Sequence, residues 1–133
     1  MEHEELSGKI IGVFYRVYNS LGYGFLERVY ENALKIEFAK IGLNFENQVP
    51  IRVYYSGEVV GDYVADFIIE GEIIVEVKAN CGLGVSDESQ LLNYLRCTEK
   101  SVGLLLNFGE KAEVKRKVFE TARKDDVYLG QGK

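Results

Sequence analysis

Two runs rich in valine, isoleucine and phenylalanine, Val59 to Ile69 and Ile73 to Ala79, flank the pair Glu70-Gly71, and the charged residues Asp66, Glu76 and Lys78 interrupt them near the turn. Runs of this composition bounded by turn residues predict antiparallel strands joined by a tight turn. A charge rarely enters a core strand without a partner or a task, because losing its water is costly. The chain must therefore fold around a hairpin that gathers charge on one face.

Register decides whether it can. Side chains alternate along a strand, so Ile74, Glu76 and Lys78 share one face while Ile73, Val75 and Val77 share the other. A two-residue loop at Glu70-Gly71 pairs Ile69 with Glu72 and leaves Asp66 in an apolar layer. A three-residue loop, Ile69-Glu70-Gly71 with Gly71 left-handed, pairs Asp66 with Ile74 and sets it diagonally beside Glu76. Ala65, Phe67, Ile69, Ile73, Val75 and Val77 then make one wholly apolar face, and this register is the one expected.

The remaining chain supplies layers to cover that face. Ile10, Ile11, Val13, Phe14, Val17, Tyr18 and Leu21 recur at helical spacing and predict a core-facing helix over 8–21. Gly22-Tyr23-Gly24 breaks it, and a second helix follows over 25–41 with Gly42 as its cap. Val49 to Tyr55 predicts a strand that precedes the hairpin across Ser56-Gly57. Ser86, followed by Asp87 and Glu88, predicts the start of a helix running to about Lys100. Val102 to Phe108 reads as a buried strand, and Val114, Arg116 and Val118 as a half-exposed one. The expected order is α-α-β-β-β-α-β-β.

Composition narrows the chemistry. A chain of 133 residues, 47% of them hydrophobic, can bury a core without staples. No segment approaches the roughly twenty apolar residues of a membrane span, and the acidic start Met1-Glu2-His3-Glu4-Glu5 does not resemble an export signal, so a cytoplasmic protein is expected. Cys81 and Cys97 lack metal-site spacing and read as reduced thiols. His3 is the one histidine, and its place near the end of the chain argues against Ser-His-Asp catalysis and histidine-held metals. Any metal here is held by oxygen.

The net charge of −5 argues against a protein that coats nucleic acid by displacing counterions. Lys111, Lys115, Arg116, Lys117, Arg123 and Lys124 form a local basic set, but interleaved acids make it read as a solvated mixed face. Asp66 and Glu76 together suit Mg²⁺ or Mn²⁺, which would relieve their repulsion and keep positions open for water and phosphate. Lys78 beside them can hold an attacking water or stabilise charge developing on a phosphate. The competing reading is a buried structural ion pair between Lys78 and one acid.

An acid on one strand followed by Glu-x-Lys on the next resembles the signature of the PD-(D/E)XK nuclease superfamily, here Asp66 with Glu76-Val77-Lys78. Gly24-Phe25-Leu26-Glu27-Arg28-Val29-Tyr30 resembles the motif of the GxxExxY family of small prokaryotic proteins, assigned to that superfamily. Ala65 stands where the signature has proline, a position that varies widely in these folds.

The resemblance, spanning about 8–119, implies an α/β (α+β) fold: a restriction-endonuclease-like αβββαβ core with a mixed central sheet flanked by helices, plus an N-terminal helix. Residues 1–119 would form a single nuclease-like domain and 120–133 a C-terminal tail. It further implies a metal-dependent nuclease using Mg²⁺ or Mn²⁺, with Asp66, Glu76 and Glu27 at the metal and Lys78 as the catalytic lysine. Tyr30, Gln90 and Tyr94 would support the site or contact substrate; Gln90 and Tyr94 are similar to the QxxxY element of RecB-like members. Nucleic acid is the implied partner, DNA ahead of RNA, with no membrane; a separate third reading, which the sequence leaves open, is a core that acts only within a homodimer or with a protein partner that supplies basic surface. A catalytically silent module that binds nucleic acid or a protein is the alternative.

Overall fold

A computed structural model describes residues 3–120, so Arg123, Lys124 and all but the first residue of the expected tail lie outside the described residues. The elements are α1 (Glu4–Leu21), α2 (Glu27–Lys40), β1 (Phe45–Tyr55), β2 (Glu58–Ile69), β3 (Ile73–Lys78), α3 (Val85–Arg96), β4 (Val102–Phe108) and β5 (Ala112–Val118). This is the expected order. The five strands form one mixed sheet, β1-β2-β3-β4-β5, in which β3 and β4 are parallel and all other neighbours antiparallel. A parallel pair needs a long crossover, and α3 provides it. Among the described residues no helix is long and apolar enough to cross a membrane.

Two apolar layers clamp the sheet. Ile10, Phe14, Leu34 and Phe38 of α1 and α2 pack on Phe67, Val75 and Leu104 from one side. Leu91 and Leu95 of α3 pack on Ile68, Ile74 and Leu105 from the other. β4 is buried along its length, as its unbroken apolar run requires. Its one amide, Asn107, is fully buried and satisfied: Oδ1 accepts the Asn80 N–H at 2.9 Å, and Nδ2 donates to Asn80 O and Glu113 Oε1, each at 3.1 Å.

Local signals explain most boundaries. Gly42 takes φ +76°, its N–H donates to Ala39 O at 3.1 Å and the Leu43 N–H reaches Phe38 O at 3.0 Å, which closes the last carbonyls of α2. Ser56 and Gly57 both have positive φ and connect Tyr55 to its partner Glu58, the two-residue turn that matches strand twist. The third helix departs from expectation at both ends. It begins at Val85 rather than after Ser86, because the Asp87 carboxylate, accepting the Gly84 N–H at 2.9 Å, closes the first turn. It stops at Arg96 rather than near Lys100, where Thr98 Oγ1 donates back to Tyr94 O at 3.0 Å.

The hairpin register needs one correction. Ile69 pairs with Ile73, Ile68 with Ile74 and Phe67 with Val75, so the loop is Glu70-Gly71-Glu72 and Ile74 faces Ile68, not Asp66. The slip is two residues, an even number that by itself exchanges no faces. Gly71 is left-handed as anticipated, at φ +67°, and Glu70 joins it at φ +53°. Ala65 also departs: it belongs to the α3-side cluster with Ile51 and Ile74, not to the face of Phe67 and Ile69.

Candidate metal and phosphate site

The Ala65 anomaly locates the site. The β2–β3 ladder ends at Phe67↔Val75, whereas β3 stays paired with β4 as far as Lys78. Beyond that point β2 pairs only with β1, where the pair of Gln48 with Asp66 drops out of the ladder between Asn47↔Phe67 and Val49↔Ala65 while the register on either side stays the same. Gln48 sits at φ +58°, a conformation that strains a residue with a Cβ and reverses which way its neighbours face. The side chain of Asn47 thus turns to α2 while Val49 packs toward α3. A notch opens in the plane of the sheet between β2 and β3.

Asp66 and Glu76 fill the notch. The Glu76 carboxylate accepts the Asp66 N–H at 2.8 Å through Oε2, and Asp66 Oδ2 accepts the Val77 N–H at 2.7 Å. Side chains thus replace the missing ladder bonds and hold the two acids beside each other. Glu76 is only 4% exposed; burial first, then the neighbouring Asp66 charge, pushes its carboxyl up to about 8. Burial also raises Asp66, against the Val77 hydrogen bond, with the charges of Glu31 and Glu27 adding to the rise. Two acids that resist ionising together mark a place where a cation would be stabilised.

Lys78 and α3 border the pair. The Lys78 ammonium donates to Gln90 Oε1 at 3.3 Å, and among the described residues it forms no ion pair with Asp66 or Glu76. The structural ion-pair reading therefore does not describe this lysine. Tyr94 lies buried four residues after Gln90; its hydroxyl donates to Val64 O at 3.3 Å, bracing β2. Burial, together with the charges of Glu76 and Asp66, pushes that phenol up to about 12, so it remains a donor.

On the opposite side, Glu27 opens α2, exposed, close enough for its charge to act on Asp66. One turn later stands Glu31, a residue the sequence reading passed over. It is 6% exposed, and its Oε1 accepts the amides of Asn47 at 2.7 Å and Gln48 at 2.6 Å; Gln48 also reaches Asp66 Oδ1 at 3.4 Å. The available signal was two like charges at i and i+4 on one helix, an arrangement that destabilises a helix unless something uses it. Tyr30 is buried, stacked on Phe108 at 4.1 Å between ring centres, and does not reach the acids. Its hydroxyl donates to Gly22 O at 2.7 Å and accepts the Phe25 N–H at 3.1 Å, pinning the loop ahead of α2. Tyr30→Phe should lower unfolding stability by about 1–2 kcal/mol, read as a shift in urea midpoint at unchanged slope.

The donor set fits a small hard cation. Among the described residues no three acidic, histidine or cysteine side chains are already gathered as a cage. Two carboxylates, each with one oxygen held by a backbone amide, suit Mg²⁺, which binds through one or two carboxylates and keeps several waters. In the mixed-charge set, Lys117 forms an ion pair with Glu88. No disulfide joins Cys81 and Cys97.

A family profile for the PD-(D/E)XK nuclease superfamily matches residues 4–117. No curated protein and no solved structure gives a significant match.

Proposed function

The chain belongs to the PD-(D/E)XK nuclease superfamily, and from that premise we propose that it is a metal-dependent nuclease whose centre is the Asp66–Glu76 notch with Lys78 at its edge. The observation that carries this is the reciprocal bonding of the two acids to each other's strand, which holds both carboxylates at one point of a broken ladder. Asp66 and Glu76 would hold Mg²⁺ or Mn²⁺ through their remaining oxygens, with Glu27 and the Val77 carbonyl completing the set. Bound there, the cation would offset the carboxylate charge and polarise a phosphate oxygen.

The chain's own groups do the rest. Gln90 fixes the Lys78 ammonium, which orients the attacking water and stabilises negative charge on the phosphate as the P–O bond is hydrolysed. Glu31 acts through others: by holding Asn47 and Gln48 it keeps the strained β1 segment, and with it the position of Asp66, in place. Tyr94 braces the β2 backbone. We extend the same proposal to the narrower GxxExxY family on Gly24, Glu27 and Tyr30, to DNA ahead of RNA as substrate, and to a cytoplasmic prokaryotic protein.

Purified protein should cleave nucleic acid with Mg²⁺ or Mn²⁺ and not with a chelator present. Lys78→Ala should lower the rate on the order of a hundredfold or more with Tm unchanged. Cleavage persisting in that variant would refute the role given to Lys78.

A further inference from the structure

A cavity of about 420 Å³ has walls that include Tyr23, Phe25, Leu26, Asn80 and Phe108. Two of its walls continue in the chain into proposed site residues. Leu26 immediately precedes Glu27, and the lining residues Ala79 and Asn80 immediately follow Lys78, so the cavity begins about 4 Å of backbone from each. Tyr23 and Phe25 are 58% and 47% exposed although large and aromatic, an unfavourable arrangement for a surface with nothing to cover it. Phe25 is held in place: it stands edge-on to Tyr30 at 6.0 Å, and its N–H is bonded to the Tyr30 hydroxyl.

We infer that this cavity is a nucleobase subsite, taking an unpaired base of a single strand whose phosphate lies at Lys78, an inference that rests on the nuclease activity proposed above. Size favours one base: the volume is at the low end for ligand pockets and excludes a duplex. Charge favours stacking. With a net charge of −5 the chain cannot draw most of its affinity from phosphate contacts, whereas aromatic faces bind any base whatever its sequence. The Asn80 side chain, exposed on the rim, offers a donor and an acceptor to the base edge. Single-stranded or frayed nucleic acid is thereby the substrate class.

The test compares an oligothymidylate, an abasic strand of equal length and a blunt duplex, by fluorescence anisotropy with Ca²⁺ replacing Mg²⁺. The native chain should bind the oligothymidylate on the order of tenfold more tightly than the abasic strand. Tyr23→Ala should remove most of that gap and leave duplex affinity unchanged. Phe25→Leu, which keeps bulk without a stacking face, should do the same and decides the matter if Tyr23→Ala lowers Tm. No gap in the native chain, or equal weakening on strand and duplex, would overturn the subsite. Mn²⁺ calorimetry on the same proteins separates the two proposals: metal uptake and cleavage without a base gap contradict the subsite alone, and a base gap without metal uptake or cleavage contradicts the nuclease alone.

Discussion

Glu76→Gln is expected to make the metal-free protein more stable at alkaline pH while removing its response to Mg²⁺. In the folded chain Glu76 keeps its proton up to about pH 8, because it is buried and faces Asp66; unfolded, it titrates at its ordinary 4.5. The folded state therefore binds more protons between those values, and stability falls as pH rises through that window. Glutamine keeps the shape and never ionises. Each unit of separation is worth about 1.4 kcal/mol, so by pH 9 the variant should lead by a few kcal/mol, on the order of 10 °C in Tm. Near pH 4 the two proteins should coincide. Millimolar Mg²⁺ should raise the native Tm at pH 8.5, because the ion stabilises the charged pair, and should leave the variant unmoved. Thermal scans over this pH range read all three outcomes, and a variant that tracks the native protein throughout would show that Glu76 carries no confined charge.

Gly109→Ala is expected to be among the most damaging single-methyl additions. An added Cβ would stand 2.4 Å from the Asn80 carbonyl oxygen and 3.0 Å from Asn107 Nδ2. Neither neighbour can move cheaply: one is backbone just beyond Lys78, the other a fully buried amide engaged at both ends. Tyr18 adds to the constraint by donating its hydroxyl to Gly109 O at 2.8 Å. Relief requires the ends of β3 and β4 to separate, at a cost on the order of 3 kcal/mol. Gly82→Ala is the control, since its Cβ would meet only Glu113 Oε1 at 3.8 Å. Urea denaturation should separate the two clearly; a Gly109→Ala midpoint within error of the native one would contradict the packing described.

The sequence is legible where one local rule decides. Element order, the buried β4 run, the Ser56-Gly57 turn and the Gly42 cap all follow from patterns a few residues long. The hairpin register is harder, because registers differing by two residues bury the same faces, and alternation cannot separate Asp66↔Ile74 from Ile68↔Ile74. Ala65 was misplaced because alternation presumes a regular strand, and no glycine marks the left-handed turn at Gln48. At the site, Asp66, Glu76 and Lys78 declared themselves as charges inside apolar runs. Glu31 did not, since its burial depends on Asn47 and Gln48 arriving from another element. Gln90 and Tyr94 were paired by helical spacing, but only the fold separates their tasks: one holds Lys78 and the other the β2 backbone.

The central claim is that the notch between β2 and β3 is a divalent-cation site. A crystal soaked in Mn²⁺ tests it most directly, because anomalous scattering identifies the ion without needing the right substrate. The account predicts an anomalous peak within coordinating distance of both the Asp66 and Glu76 carboxylates, lost in Glu76→Gln. A notch without a peak at millimolar Mn²⁺ above pH 8, or an ion bound elsewhere and unaffected by that substitution, would contradict it.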